Sequence, residues 1–345
     1  MWTIDDNVIR LRAWGTNITH RLTADTYVLG TGDTATLQLV DPSGRTAAEH
    51  ALLTRDADGW AVRQLHDEHP VLGCGVRGRA LRLDPGVELG IGGLTLVAES
   101  RRCTDLRGFV ARLIGWSDDA AIDHAMRSLR GAAARRHPLV LCGAGDLVAV
   151  ASSIHRRAFG VLAPFVVCDP RRREGKATVR SAGNIDTGMD ALGQAIGGSL
   201  CVWSRRLPRD FDEVRLALRD PALDVTLIVC SESSRRALCA VDPVAIPPLT
   251  SRALEVPRII DEYAEEIAAA TCATVPLTAA DREWILRNSA SSLGEIDKGG
   301  RRLLAVRNHG DSTSAAAWAL GMAPISLARW LGRRARVAGP RTIAT

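Results

Sequence analysis

Short hydrophobic runs alternate with turn-forming residues over the first hundred positions of the chain. The runs TYVLG, ATLQL, HALLT, WAVRQL and RALRL are separated by turn signals, among them Asp58-Gly59, which suits a tight hairpin. The stretch LRLDPGVELGIGGLTLVA, from Leu81 to Ala98, predicts two or three further strands joined by a Pro-Gly turn and a Gly-Gly pair. Residues 1–99 are therefore expected to form an all-β sandwich.

The pattern changes after residue 99. Acidic residues followed by good helix formers predict a helix over residues 118–134, within a helical linker at 100–136. Beyond it, the apolar runs LVLC, FVVC, SLC and TLIVC end at Cys142, Cys168, Cys201 and Cys230. Short apolar runs separated by helical stretches are typical of a parallel sheet covered on both faces, so these runs predict the strands of an α/β core over 137–248.

Composition narrows the class of protein. The 345 residues, 46% apolar and 24% charged, suit two or three globular domains. The N-terminus lacks the pattern of a secretory signal and no run reaches about 18 apolar residues, so we expect a cytoplasmic protein without a membrane partner. The eight cysteines include no CxxC pair, which favours packing residues over a zinc site or disulfides.

Charge is concentrated at one end of the chain. Residues 282–345 carry eleven basic and four acidic side chains, a balance of +7, whereas the remainder of the chain carries −2. A basic terminal domain on a nearly neutral body is typical of nucleic-acid binding, and a solubilising arginine-rich tail is the alternative.

The N-terminal residues resemble a forkhead-associated (FHA) domain. The resemblance rests on Gly30, DPSGRTAAEHA at 41–51, the hairpin at 58–60 and LDPGVELGIGG at 83–93. The positions with which the family binds phosphothreonine fall here at Thr31, Ala47, Ala48 and the segment 66–70. Alanine cannot donate to a phosphate, and Asp67 and Glu68 would repel it. The resemblance thus implies docking of a protein partner, or dimerisation, without phosphothreonine dependence. His50 is expected to stabilise a loop, and the acidic, histidine-rich segment 66–69 to be a solvated loop rather than a metal site.

The central residues resemble the AAA+ domain of bacterial enhancer-binding proteins, the activators of sigma-54 polymerase. The segments LVLCGAGDLVAVASSIHRRA, APFVVCDP, GGSLCVWSRRLP, DVTLIVCSESS and AIPPLTSRALEV follow one another as in that family. The nucleotide-binding positions differ, however. The family's P-loop residues fall at Asp146-Leu147-Val148, its Walker B acids at Trp203 and Ser204, and its two sensor residues at Glu232 and Gly294. The loop that engages sigma factor has no counterpart. We therefore expect neither ATP hydrolysis nor polymerase remodelling. An unrelated α/β core is the alternative.

The segment STSAAAWALGMAPISLARWLGRR, from Ser312 to Arg334, resembles a Fis-type helix-turn-helix. Ser312 would cap the first helix, Gly321 would make the turn, and Pro324 would begin the second helix. Leu327 and Leu331 would face inward, leaving Ile325, Ser326, Arg329 and Trp330 nearer the surface. The residues implied for DNA contact are, for bases or the groove, Pro324, Ser326 and Arg329, and, for phosphates, Ser312, Thr313, Arg333, Arg334 and Arg336. A helical hairpin used only for packing or dimerisation is the alternative.

These observations predict a multidomain chain with an FHA-like sandwich at 1–99, a helical linker at 100–136, a degenerate AAA+-like domain at 137–248, a helical lid-like segment at 249–290, a Fis-type helix-turn-helix at 291–336 and a tail at 337–345. The predicted function is DNA-binding transcriptional regulation by a homodimer on double-stranded DNA, with no catalytic residue, cofactor or metal. The alternative is a non-enzymatic scaffold that uses both degenerate modules for protein docking.

Overall fold

The computed structural model describes residues 7–134, 137–160, 162–175, 183–220, 222–232 and 241–337, with side chains as far as residue 332. The chain divides into two compact units. One comprises Met1–His137 with Arg157–Phe159, and the other comprises Pro138–Arg156 with Gly160–Thr345. The order is a sheet-rich N-terminal region, a parallel-sheet α/β core and a helical C-terminal region, as the sequence predicts.

The first unit contains a β-sandwich. Its strands are β1 (Arg10–Ala13), β2 (Thr19–Arg21), β3 (Thr26–Gly30), β4 (Leu37–Gln38), β5 (Ala51–Asp56), β6 (Gly59–Gln64), β7 (Val71–Gly73), β8 (Val76–Gly78), β9 (Ala80–Leu83), β10 (Glu88–Ile91) and β11 (Leu94–Glu99). One sheet has the order β2-β1-β11-β10-β7-β8 and the other the order β4-β3-β5-β6-β9. Only the short β3–β4 pair is parallel among the described strands of the sandwich.

Turn chemistry and alternating burial account for these strands. In β6, Trp60, Val62 and Gln64 are buried while Ala61 and Arg63 are more exposed, the period of two expected of a half-buried strand. The predicted hairpin is confirmed, with Gly59 at φ +116° between β5 and β6. The Pro-Gly and Gly-Gly turns likewise connect β9, β10 and β11. Strands β1, β2, β7 and β8 have no counterpart among the runs that the sequence singled out.

Two helices belong to the first unit, α1 (Arg101–Ile114) and α2 (Asp119–Ala133), capped by the side chains of Ser100 and Asp118. Helix α2 confirms the predicted helix near 118–134. The sequence assigned this whole stretch to a linker, whereas the structure joins both helices to the sandwich strands through buried ion pairs. Arg12 of β1 pairs with Glu99 at 2.7 Å and with Asp123 of α2. Arg107 of α1 lies 2.7 Å from the same Asp123. Removing one partner of such a buried pair costs about 3–5 kcal/mol.

The second unit is built on a parallel sheet. Its strands are β12 (Leu139–Gly143), β13 (Phe165–Cys168), β14 (Gly183–Ile185), β15 (Gly198–Trp203), β16 (Val225–Ser231) and β17 (Val244–Ile246), in the order β14-β13-β15-β16-β12-β17. All of these named strands pair in parallel. The four predicted strands are present, and the cysteines that mark them are buried in the sheet. Strands β14 and β17 were not predicted because each is only three residues long.

Helices complete the second unit. They are α3 (Leu147–Phe159), α4 (Gly188–Gln194), α5 (Phe211–Ala217), a 3-10 helix (Leu249–Glu255), α6 (Val256–Ala270), α7 (Ala279–Asn288), α8 (Leu293–Asn308), α9 (Thr313–Ala319) and α10 (Pro324–Val337). Helix α8 packs closely on its neighbours because Gly299 and Gly300 present no side chain. A Cβ at Gly300 would lie 2.7 Å from Ile267 of α6. None of the described helices is long and apolar enough to cross a membrane.

Candidate nucleic-acid interface

Helices α9 and α10 are joined by a tight turn whose residues have defined roles. The Ser312 hydroxyl caps α9 by accepting a hydrogen bond from the Ala315 amide at 3.3 Å. Gly321 follows α9 at φ +61°, and the Met322 amide donates to the Ala317 carbonyl at 2.8 Å, a glycine-terminated helix end. Pro324 is the first residue of α10, where a missing amide donor costs nothing. The cap, the turn and the helix start predicted from sequence are all present.

A small apolar core holds the two helices together. Ala316, Ala317 and Leu327 are fully buried there, and the half-buried side chains of Met322 and Leu331 pack against them. Small residues on α9 let α10 approach closely, and Leu327 and Leu331 face inward as predicted.

The sequence placed Trp330 nearer the surface, and this was wrong. Its ring is half-buried in the same core, 5.1 Å from the ring of Trp284 on α7, and the guanidinium of Arg302 lies 4.6 Å above it. The physical reason is helix geometry: residue 330 follows Leu327 by three positions and so shares its inward side. An indole there anchors α10 to α7 and α8 instead of reaching a ligand.

The opposite side of α10 is open to solvent. Successive helical residues are rotated by about 100°, so residues 325, 329 and 332 line up on the side farthest from Leu327. Ile325 is 65% exposed, and Ala328, Arg329 and Gly332 are also exposed. Ile325 was named from sequence only as a surface residue. Its place at the start of the outward stripe makes it a contact candidate that the sequence analysis missed.

The residues implied for DNA contact divide into three groups. Arg329 and Ser326 are exposed, Arg329 at the centre of the outward side and Ser326 on its flank. Pro324 and Thr313 are half-buried, and the Ser312 hydroxyl is engaged in the cap of α9. The side chains of three predicted phosphate contacts lie outside the described residues: Arg333, Arg334 and Arg336.

Most other basic residues of the C-terminal region are paired with carboxylates. The pairs are Arg282–Asp261 at 2.9 Å, Arg287–Glu283 at 3.0 Å, Arg301–Asp297 at 3.0 Å, Arg307–Asp281 at 3.0 Å, and Lys298–Glu295 at 3.6 Å. Arg307 also holds the pKa of Asp281 below its ordinary value, against the opposing effect of burial. Among the described side chains, Arg329 belongs to no ion pair of this kind. The unpaired positive charge therefore lies on α10 and not evenly over the region.

The loop between β12 and α3 stands where the AAA+ resemblance places a phosphate-binding loop. The carboxylate of Asp146 caps α3 by accepting from the Ala149 amide at 3.2 Å, so one amide of the first turn already has an anionic partner. Lys298 of α8 lies 3.8 Å from the same carboxylate. Gly143, at φ +153°, lies so close to β17 that an added Cβ would be 2.2 Å from the Ile246 carbonyl oxygen. This loop is fixed by contacts within the protein.

The other positions that the AAA+ resemblance assigns to nucleotide binding also make contacts within the protein. Trp203 ends β15 half-buried, and the Ser204 hydroxyl donates to Ser231 at 3.1 Å. Glu232 pairs with Arg205 at 2.6 Å. Gly294 of α8 faces the start of α3, where an added Cβ would be 3.4 Å from Ala149. A cleft of about 1550 Å³ lies beside α3 and α8. Its lining includes basic side chains as well as the acids Asp146, Asp169, Glu295 and Asp297.

Three of the positions that the FHA resemblance assigns to phosphothreonine binding lie together in the first unit. They are Thr31, Ala47 and Ala48. The Thr31 amide donates to the Ala47 carbonyl at 3.1 Å, and the next amide donates to the Ala48 carbonyl at 3.0 Å. None of the three contributes a cation. His50 is buried beside them, with Nδ1 accepting from the Ala47 amide at 3.2 Å and Nε2 lying 3.4 Å from the Pro70 carbonyl oxygen. The predicted loop-stabilising role of His50 is confirmed.

The acidic, histidine-rich segment 66–69 follows β6. Its backbone and side chains make local contacts, such as the hydrogen bond from Gln64 to Asp67 at 2.9 Å, and His66 and Asp67 are exposed. His69 lies 5.4 Å from the ring of His50. In the part of the chain that the structure describes, no group of three or more His, Cys, Asp and Glu side chains is arranged to hold a metal ion.

Comparison with known proteins adds the following. No family model matches the chain, and no curated protein matches it. Among solved structures, NtrX from Brucella abortus in complex with ATP is similar over 68% of this chain and 71% of its own, with 17% identity and a TM-score of 0.35. The FHA-2 domain of a Mycobacterium tuberculosis ABC transporter is similar over 23% of this chain and 72% of its own, with 24% identity and a TM-score of 0.20. An FHA domain with phosphothreonine-dependent interactions covers 27% of this chain and 95% of its own, with 16% identity and a TM-score of 0.25. The ATP and phosphothreonine ligands are those of the proteins compared.

Proposed function

We propose that this protein is a DNA-binding transcriptional regulator that acts without ATP hydrolysis or remodelling of a sigma factor. The observation that carries the proposal is the outward side of α10, which presents Arg329 without an ion-pair partner among the described side chains. Helix α10 is anchored on its other side by Leu327 and Trp330. An anchored helix with an open, cationic outer side is the form in which a helix enters the major groove.

The proposal that the central domain does not hydrolyse ATP is supported by the β12–α3 loop. Asp146 places negative charge at the helix start where a nucleotide phosphate would need a cation. Side chains of other types stand where acidic and sensor residues would be required, notably Trp203 and Gly294. A rise in melting temperature on addition of ATP and magnesium would contradict this part of the proposal.

The sandwich is proposed to dock a protein partner, or a second copy of the chain, without requiring phosphothreonine. Thr31, Ala47 and Ala48 supply no charged donor, and the adjacent loop carries Asp67 and Glu68. A homodimer would present two copies of α10 to two half-sites about 34 Å apart on one side of a duplex. Control of DNA binding would then come from partner binding or dimerisation.

The test is a fluorescence-anisotropy titration of a mixed-sequence duplex with the full chain at about 50 mM and about 200 mM salt. The proposal predicts binding that weakens steeply as salt rises, because each phosphate contact releases a counterion. Absence of salt-dependent binding at micromolar protein would overturn it.

A pair of charge reversals separates this function from the scaffold alternative. Arg329→Glu combined with Arg333→Glu is expected to abolish duplex binding while the sandwich keeps its docking activity, because both substitutions lie on α10. The control is Arg209→Glu combined with Arg219→Glu, which reverses two exposed arginines elsewhere in the second unit and so matches the change in net charge. Equal loss of duplex binding in the control would show that net charge alone drives association.

A further inference from the structure

The outward side of α10 has an unusual composition for a surface that would read bases. Its described side chains, in order, are Ile325, Arg329 and Gly332. Only Arg329 carries a hydrogen-bonding group, and the amide, hydroxyl and carboxylate side chains that recognise adenine or cytosine edges are missing from this set. Ser326 and Ala328 each lie about 100° from the Leu327 direction, on opposite flanks of the stripe, and so do not join it. Recognition here has to rely on apolar contact and on one guanidinium.

Thymine is the base that offers an apolar group in the major groove, its C5-methyl, and guanine is the base that accepts a bidentate arginine. Ile325 extends its branched side chain 65% into solvent, at the start of the helix where bases are contacted. Arg329 follows one helical turn later on the same side. We propose, resting on the DNA-binding function above, that α10 reads thymine through a methyl contact with Ile325, beside a guanine bound by Arg329.

A second observation supports a ligand that comes close to this side of the helix. Gly332 lies in the middle of α10, and an added Cβ would have no described atom within 4 Å. Glycine in a helix interior is unfavourable relative to alanine, and nothing described inside the protein requires it at this position. Close approach of a duplex to the helix backbone would account for a glycine at this position.

The experiment begins with selection of duplexes from a random pool by the full chain. The selected duplex is then compared with the same sequence in which every thymine is replaced by uracil, which pairs identically but lacks the methyl group. Because burying one methylene or methyl group contributes about 0.8 kcal/mol, each thymine methyl in contact should strengthen binding about fourfold. The uracil duplex is expected to bind the wild type at least about fourfold more weakly.

Two variants assign the effect to α10. Ile325→Ala should bind the thymine and uracil duplexes with more nearly equal affinity, and the variant should fold because the side chain it shortens is exposed. The matched control is Leu254→Ala, which shortens a leucine that is 98% exposed on the 3-10 helix of the same unit. The control should keep the full thymine preference.

The outcomes separate this inference from the function on which it rests. Salt-dependent binding with equal affinity for thymine and uracil duplexes overturns methyl reading and leaves the regulator in place. So does a thymine preference that Ile325→Ala leaves intact, or a selected site that contains no thymine. Failure of every duplex to bind in a salt-dependent manner overturns the proposed function itself. In that case the exposed stripe is a surface for a protein partner.

Discussion

The β12–α3 loop and the outward side of α10 belong to the same compact unit, but they differ in what occupies them. In the loop, Asp146 satisfies the start of α3, and Lys298 lies beside that carboxylate. On α10, Arg329 and Gly332 meet no comparable partner among the described residues. The first region makes its contacts within the protein, whereas the described side chains of the second are open to solvent.

This difference separates groups that contribute to folding from groups that are open to a ligand. A turn containing glycine and a capped helix persist after β12, yet the groups that meet there are the protein's own. A side chain that caps a helix contributes to folding whether or not a ligand is bound. An exposed arginine and a mid-helix glycine contribute little to folding, which is why the proposed binding function is assigned to this side of α10.

The largest expected effect is on duplex binding by the outward side of α10. Arg329→Ala should weaken duplex binding by about 1–3 kcal/mol, roughly fivefold to 150-fold, because it removes a bidentate contact to guanine. The measurement is the anisotropy titration at one fixed salt concentration. Arg219→Ala, which removes one exposed arginine from the same unit, should change affinity much less. Equal losses in the two variants would erase the distinction between the regions.

The next largest expected effect is on the stability of the β12–α3 loop and of helix α3. Asp146→Ala removes the cap of α3 and should lower the free energy of unfolding by about 0.5–2 kcal/mol, measured by chemical denaturation. Asp146→Asn is the matched control, since asparagine also caps helices, and it should retain most of the stability. Both variants should bind duplex as the wild type does. A gain of ATP binding in Asp146→Ala would mean that the carboxylate had been masking a functional site.

Gly332→Ala sharpens the comparison because stability and binding should move in opposite directions. Alanine at this open helical position should raise the free energy of unfolding by roughly 1 kcal/mol. The added methyl should at the same time weaken duplex binding, if the helix backbone approaches the bases. Gly108→Ala on α1 is a matched substitution with open space around it, and it should stabilise without affecting DNA binding. Unchanged binding by Gly332→Ala would leave the glycine without a functional explanation.

The smallest expected effect is the pH dependence of stability that arises from His155 on α3. His155 is buried, and Nδ1 lies 2.8 Å from the Ser199 hydroxyl and Nε2 lies 3.0 Å from the Ala163 carbonyl oxygen. Burial lowers the pKa of His155 below its ordinary value, outweighing the hydrogen bond to Ala163. The unfolded chain takes up a proton near pH 6.5 that the folded chain resists, so stability is retained above about pH 6.5 and falls below it.

This pH dependence can be measured by urea denaturation at about pH 7.5 and about pH 5.5. His50, whose pKa is also lowered by burial, should contribute to it in the first unit. His155→Gln should reduce the difference between the two pH values, and His309→Gln, at an exposed position, should leave it unchanged. Stability that rises on acidification would contradict the assignment of neutral buried imidazoles.

Local sequence patterns predicted many of the strands and helices. Features that depend on tertiary contacts could not be predicted in the same way. Cys142 and Cys230 end apolar runs long enough to identify as strands, but β14 and β17 are too short to show a period. The ion pairs of Arg12 could not be foreseen, because Glu99 and Asp123 are distant in sequence. At α9 and α10, the cap, the turn and the helix start were predictable from local chemistry. The inward position of Trp330 follows from its spacing to Leu327, whereas its packing on Trp284 of another helix is a tertiary contact.

The central proposal is that α10 binds DNA and that the β12–α3 loop does not bind nucleotide. The most direct test is the duplex titration of the full chain, repeated with magnesium and ATP present at equal ionic strength. The account predicts salt-dependent binding with the same affinity whether or not ATP is added. Absence of duplex binding, or an affinity that changes with ATP, would contradict it.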